Sequence, residues 1–211
     1  MTDPKIPRRV KSRMVKDRIL ETATKLIREH GYECVTVHNV CQAAEVSVGS
    51  FYHHFENKDQ LLAYYLVAAF EERAQKFSEV SDDDVVHAVI QCYHLYDDFL
   101  LDQGFDFVKN YYTTQNKGLD TSKRNDSTVT VPIMDKTISL MAKAVEAGDM
   151  LPETDAAQLG EDLCRLEKGV VFDWCLCDAG YDLKAQTQHM METYLRAFLT
   201  PQYWSKRSEQ A

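Results

Sequence analysis

Val48, Gly49, Ser50, Tyr52 and His53 are all small or polar-aromatic, and among them Phe51 and Phe55 stand four apart as the apolar pair of a helix face. With Phe51 and Phe55 turned inward, the other five form an outward face able to approach a second surface closely and hydrogen-bond to it. That chemistry is recognition, not bond breaking. The chain has no HExxH, GxSxG, phosphate loop or two-carboxylate metal pattern. The neighbouring His53 and His54 cannot converge on one ion from a single helix, so neither a metal nor another cofactor is expected.

Such a face needs elements to hold it. Val37, Val40, Cys41 and Ala44 follow the i, i+3, i+4, i+7 spacing of one helix, with Thr36 ahead of it as N-cap. The pattern breaks after Ala44, and Ser47 is placed to cap a second helix. Helices this short do not fold alone. The spacing predicts a supporting helix from about Ser12 to His30, with Val15, Ile19, Ala23, Leu26 and Ile27 as its stripe and Gly31 as its stop. Two short helices about a turn, the second with a polar outer face, fit a helix-turn-helix whose recognition helix lies in a DNA major groove.

The run from Ala43 to Leu61, Ala-Ala-Glu-Val-Ser-Val-Gly-Ser-Phe-Tyr-His-His-Phe-Glu-Asn-Lys-Asp-Gln-Leu, resembles the DNA-binding signature of the TetR family of bacterial transcription regulators. The resemblance covers roughly the first quarter to third of the chain, the extent of such a three-helix module. Glu45 stands where the family usually has Gly, so a positive φ there would carry a small strain. The resemblance implies DNA contacts at Thr36, Val37, His38, Ser47, Val48, Gly49, Ser50, Tyr52, His53, His54 and Lys58. Thr36 and Lys58, at helix N-termini, suit phosphate oxygens, and Tyr52 and His54 match backbone-touching positions. His38, Val48, Gly49, Ser50 and His53 match positions facing the bases, with Val48 suited to a thymine methyl. No Arg, Asn or Gln is on this surface, so specificity is expected from an amino-terminal arm, His38 and DNA shape.

The charge distribution agrees. Overall the 211 residues carry −9. Residues 1–60 hold ten Lys/Arg against eight Asp/Glu, a net +2, whereas residues 61–211 hold fourteen against twenty-five, a net −11. Within Met1–Arg18 seven basic residues face two acidic ones, a net +5. Residues 1–11 read as a flexible basic arm, able to track phosphates or enter the minor groove. An apolar fraction of 45% supports packed cores. No run approaches the roughly 18 apolar residues of a membrane span, and the amino terminus lacks a signal-like apolar region, so a cytoplasmic location is expected. The six cysteines read as reduced, buried small hydrophobes.

Beyond the head, the pattern predicts an all-α body. A helix starting at Glu56 or Asn57 carries Leu61, Leu62, Tyr65, Leu66, Ala69 and Phe70 on its apolar face and is the expected lever between the two parts. Further helices are expected at Val85–Gly104, Asp106–Gln115, Pro132–Ala147, from Thr154-Asp155 to about Ala179 with Gly180 as stop, and Asp182–Leu199, ended by Pro201. Asn116–Val129 reads as a loop. The expected domains are a helix-turn-helix DNA-binding domain at 1–56 and a helical ligand-binding and dimerisation domain at 57–211.

By resemblance, the second domain binds a small molecule among its middle helices and dimerises through its last two. Tyr93, Tyr96, Phe107, Tyr111, Met134, Met141 and Trp174 are pocket candidates. Leu163, Leu166, Val170, Trp174, Met191, Tyr194 and Phe198 are dimer candidates. The implied function is a homodimeric, ligand-responsive repressor of a near-palindromic operator; the alternative within the fold is an activator or an effector-independent DNA-binding protein. Rivals of other classes are an all-α enzyme using Cys, His or Glu of the bundle, and an interaction module that has lost DNA binding.

Overall fold

The structure, a computed structural model, describes residues 8–71, 74–113, 116, 119 and 132–208. The described residues are helical, with no strand among them beyond one isolated bridge between Met150 and Leu199. Two compact units separate, one reaching to Ala69 and one holding residues 70–112 and 132–208. Among the described residues no helix is long and apolar enough to cross a membrane.

In the first unit, α1 (Arg8–His30) starts four residues earlier than the apolar stripe suggests, so Arg8, Arg9 and Lys11 are helical and not arm. Arg and Lys are good helix formers, and nothing between Pro7 and Ser12 breaks a turn. The arm proper, residues 1–7, lies outside the described residues. Ile19, Ala23 and Ile27 are the buried stripe of α1, and Gly31 at φ 80° ends it. A 3-10 turn (Tyr32–Cys34) leads into α2 (Val37–Ala43) and α3 (Val48–His54). Then α4 (Lys58–Glu71) begins after a cap in which Asn57 Oδ1 accepts the Gln60 N–H at 2.8 Å and Gln60 Oε1 accepts the Glu56 N–H at 2.8 Å. Leu61, Leu62 and Tyr65 of α4 are buried; the side chains of Leu66, Ala69 and Phe70 lie outside the described residues.

The second unit holds α5 (Ala74–Ser78), α6 (Val85–Gln103), α7 (Phe105–Tyr111), α8 (Pro132–Glu146), α9 (Ala156–Leu176), α10 (Leu183–Leu195) and α11 (Pro201–Ser208). Here α6 packs on α8 and α10, and α9 packs on α8 and α10. A Cβ at Gly160 would lie 2.5 Å from Ile138 Cγ1, so the absent side chain sets how closely α8 and α9 approach.

Two ends differ from the pattern. Helix α9 stops at Leu176, because Asp178 and Ala179 adopt positive φ of 48° and 58°; Gly180 follows the stop instead of making it. Pro201 opens α11 where the sequence suggested an ending, since a proline fits the first helical turn and Thr200 Oγ1 accepts the Tyr203 N–H at 3.3 Å. Helix α11 is fixed by the Tyr203 hydroxyl, which donates to Asp84 at 3.1 Å. Of the six cysteines, Cys41, Cys92, Cys164 and Cys175 are buried, Cys34 is half-buried and Cys177 is exposed; all are free thiols.

Candidate nucleic-acid interface

The face is built from α3 upward. Ser47 Oγ accepts the Ser50 N–H at 3.1 Å, satisfying one orphan donor of the first turn. Phe51 and Phe55 are fully buried, their ring centroids 5.5 Å apart. That pair fixes the rotation of the helix, which leaves Val48 46% and Tyr52 55% exposed one turn apart. Gly49 and His53 are exposed beside them and Ser50 is half-buried. A Cβ on Gly49 would meet only Ser47 Oγ at 3.9 Å, so nothing inside the protein requires a glycine there.

Helix α2 braces this element. Thr36 caps it, its Oγ1 accepting the Asn39 N–H at 3.1 Å, while Asn39 Nδ2 donates to the Cys34 carbonyl at 3.0 Å. Val40, Cys41 and Ala44 are its buried side, Val37 is half-buried and His38 is exposed. The intervening turn places Glu45 at φ 53°, the left-handed conformation expected where the family usually has Gly, and the Val46 N–H returns to the Cys41 carbonyl at 3.0 Å.

Two lysines have ring partners that no local pattern reveals. Lys16 Nζ lies 3.7 Å from the centroid of Tyr64 and 5.7 Å from that of Phe55, so α1, α3 and α4 meet at one ammonium. Lys58 Nζ lies 4.0 Å over the Tyr32 ring. His54 is half-buried; burial first, then the nearby His53 and Lys16, hold its pKa below the usual imidazole value, so it is neutral at pH 7. The head thus brings Thr36, His38, Ser47, Val48, Gly49, Tyr52 and His53 to its exposed surface, and keeps Val37, Ser50, His54 and Lys58 half-buried.

The pocket candidates of the second unit all lie in its core or at its edge. Tyr93, Phe107, Tyr111, Met134, Met141 and Trp174 are buried and Tyr96 is half-buried. The rings of Phe107 and Tyr111 stack at 5.9 Å, and the hydroxyls of Tyr96 and Tyr112 hydrogen-bond. Trp174 faces other partners: its ring meets Phe105 edge-on at 5.2 Å and its indole N–H donates to the Tyr181 carbonyl at 3.1 Å. Of the dimer candidates, Leu163, Val170, Trp174 and Met191 are buried within the chain itself, since helical spacing cannot say which of two apolar neighbours a stripe serves. Leu166, Tyr194 and Phe198 remain half-exposed. Sequence reasoning missed Phe172 and Leu176, exposed on the outer side of α9. It also missed an open groove of about 570 Å³ lined by Leu166, Gly169, Met190 and Tyr194 among others.

Fold and head together define a helix-turn-helix protein with an all-helical body. The family model for bacterial regulatory proteins of the tetR family matches residues 19–65, so the head is similar to the DNA-binding part of that family. The transcriptional repressor AcnR of Corynebacterium efficiens is 37% identical over 71 residues, 34% of this chain and 36% of that protein. The repressor DhaR of a Mycobacterium species is 33% identical over 75 residues, 36% of this chain and 38% of that protein. The chain therefore spans little more than a third of either curated relative. The crystal structure of FadR from Thermus thermophilus, a TetR-family repressor in complex with lauroyl-CoA, shares the fold: TM-score 0.69 over 88% of this chain and 95% of its own, at 20% identity.

Proposed function

We propose that this protein is a cytoplasmic, non-enzymatic transcriptional repressor. It binds a near-palindromic operator as a homodimer and is released when a small molecule enters its helical body. The observation that carries this reading is α3: capped by Ser47, locked by Phe51 and Phe55, with exposed Val48 and Tyr52 flanking a glycine that the fold does not need. A helix held this way is organised for something outside the chain. The head at 1–56 reads DNA with Thr36, Val37, His38, Ser47, Val48, Gly49, Ser50, Tyr52, His53, His54 and Lys58, and residues 57–211 bind the effector and the second copy.

Two heads set about 34–36 Å or a multiple apart would meet successive major-groove faces. The second copy packs on the outer face of α9 and α10, where Leu166, Phe172, Leu176 and Tyr194 are accessible. The effector occupies the body near Tyr93, Tyr96, Phe107 and Tyr111, and α4 is the covalent link through which occupancy reaches the head. A ligand can shift this equilibrium only by its differential affinity for the two states.

The test is selection of bound duplexes from a random pool, followed by titration of the selected duplex. Tyr52→Ala and His53→Ala should each weaken specific binding at least tenfold while leaving the oligomeric state unchanged. Absence of any salt-sensitive preference for an inverted repeat, or unchanged affinity in both variants, refutes the proposal.

A further inference from the structure

Where α6, α9 and α10 meet, four polar side chains are sealed from water. Tyr93 is 2% exposed, Asp97 0%, Glu167 2% and Thr187 0%. The Tyr93 hydroxyl, both oxygens of Asp97, both oxygens of Glu167 and the Thr187 hydroxyl find no hydrogen-bond partner. They are neighbours nonetheless: Asp97, Glu167 and Thr187 lie close enough for side-chain hydrogen bonding to bear on both carboxyls, and the Tyr93 hydroxyl is similarly close to Thr137, yet none of these approaches has the geometry of a formed hydrogen bond. Burial pushes both carboxyls toward their neutral forms, Asp97 up to about 6 and Glu167 well up.

Buried polar atoms are normally paired, and unpaired ones cost stability. Among the described residues no internal cation serves here. Lys184, the basic group acting on Asp97, is drawn to Asp98 at 2.8 Å, and His94 Nε2 lies 3.2 Å from the Lys184 carbonyl. A single proton shared by the two carboxyls would satisfy one acceptor and leave the two hydroxyls as they are. A divalent metal wants more oxygens than two carboxyls bring, and among the described residues no third His, Cys, Asp or Glu joins them in a metal-binding group.

We propose that Asp97 and Glu167, with Thr187, bind the ammonium head of a protonated primary amine carried on an otherwise apolar effector. This rests on the effector-binding reading above and gives it a ligand class. A primary ammonium brings three N–H donors to the oxygens of Asp97, Glu167 and Thr187, which form no well-made hydrogen bond among themselves. Its apolar body has walls to rest on: Tyr96 and Tyr112, hydrogen-bonded to each other, feel the charge of Glu167, and Tyr111 adjoins both. Aromatic rings beside a desolvated cation add attraction to its charge. The Tyr93 hydroxyl remains to orient a carboxyl.

The experiment measures binding to the full chain without DNA, at pH 7.5, by calorimetry and thermal shift. The probes are hexylammonium, octylammonium and phenethylammonium chlorides, each against the alcohol of the same carbon skeleton, with octyltrimethylammonium as a cation lacking N–H donors. At least one primary ammonium should bind tenfold or more tighter than its alcohol and than the trimethylammonium ion. In the D97N/E167Q double variant that preference should fall below threefold, with the fold retained because each amide keeps the shape of the carboxyl it replaces. The single variants D97N and E167Q should each lose part of it, and they serve if the double variant does not fold. No ammonium preference in the unaltered protein, or a preference untouched by the substitutions, overturns the inference. DNA binding is scored separately. A chain that binds an operator but ignores ammonium loses this inference alone, and one that prefers ammonium but binds no duplex loses the regulator reading alone.

Discussion

Gly49→Ala separates what the fold needs from what the interface needs. Gly49 is in the first turn of α3, and an added Cβ would lie 3.9 Å from Ser47 Oγ and within 4 Å of nothing else. The substitution therefore creates no clash. Alanine is a better helix residue than glycine by about 0.5–1 kcal/mol, with the lower part of that range apt for a position near a helix end. For a chain of this size that gain raises the unfolding midpoint by about 1–3 °C.

The same methyl protrudes between Val48 and Tyr52 on the exposed face. If that face lies against base edges, the helix must withdraw or tilt, and contacts on both sides lengthen together. A tenfold loss of operator affinity, about 1.4 kcal/mol, is the smallest effect expected. Fluorescence anisotropy with the selected duplex measures it, at one fixed salt concentration because phosphate contacts make affinity salt-dependent. Thermal unfolding of the same preparation supplies the second axis. A more stable protein with weaker binding is the expected result. Affinity within twofold of the unaltered chain would show that α3 does not dock through this face, and a destabilised variant would show that the face is not open.

Glu45→Gly should stabilise the head by about 0.5–1 kcal/mol in chemical denaturation. It removes a left-handed strain of about 1–2 kcal/mol and returns part of that as unfolded-state entropy. Gly160→Ala should destabilise by about 1–3 kcal/mol despite the better helix propensity, because its Cβ would lie 2.5 Å from Ile138 Cγ1, and adding Ile138→Val should recover part of the loss. Asp97 titrates near 3.8 when unfolded and at about 6 when folded. Between those values the folded chain keeps a proton that the unfolded chain releases, so the contribution of Asp97 to stability falls as pH rises from about 4 to 6, and Glu167, raised further, extends the fall to higher pH. The gap is worth about 3 kcal/mol. Asp97→Asn should raise stability at pH 7.5 by an amount of that order and flatten the fall, as read from denaturation midpoints across pH; an unchanged profile would refute the burial argument.

The head was legible because its signals are local. Thr36, Ser47 and Asn57 cap the helices they precede in sequence, and Phe51 and Phe55 declare an inward face within five residues. Even the strain at Glu45 follows from one position in a tight turn. What stayed hidden depends on neighbours far along the chain. Lys16 reads as another surface lysine until α4 brings Tyr64 beneath it. Leu163, Val170 and Met191 have the spacing of a dimer seam, and only the packing of α9 against α8 and α10 shows them spent inside one chain. Asp97, Glu167 and Thr187 are polar residues on helices that read as amphipathic, and no pattern in one helix distinguishes a buried carboxyl from a solvated one.

The proposed head would divide its two tasks between different elements. The outward face of α3 offers apolar and hydrogen-bonding contacts, His54 is held neutral, and the ammonium groups of Lys16 and Lys58 lie over rings. The exposed Arg9, Lys11, Arg13 and Arg18 all belong to α1. In the proposed regulator, sequence preference would have its source in α3 and His38, and the salt-dependent part of the affinity in the basic residues of α1. A face without Arg, Asn or Gln forgoes the strongest base pairings, each worth about 1–3 kcal/mol of discrimination. Specificity then has to accumulate from several weak contacts read twice, and so depends on the spacing between two heads. In the proposed dimer, an effector that altered that spacing would lose both sets of contacts at once, so a weakly discriminating recognition helix would suit release by a ligand.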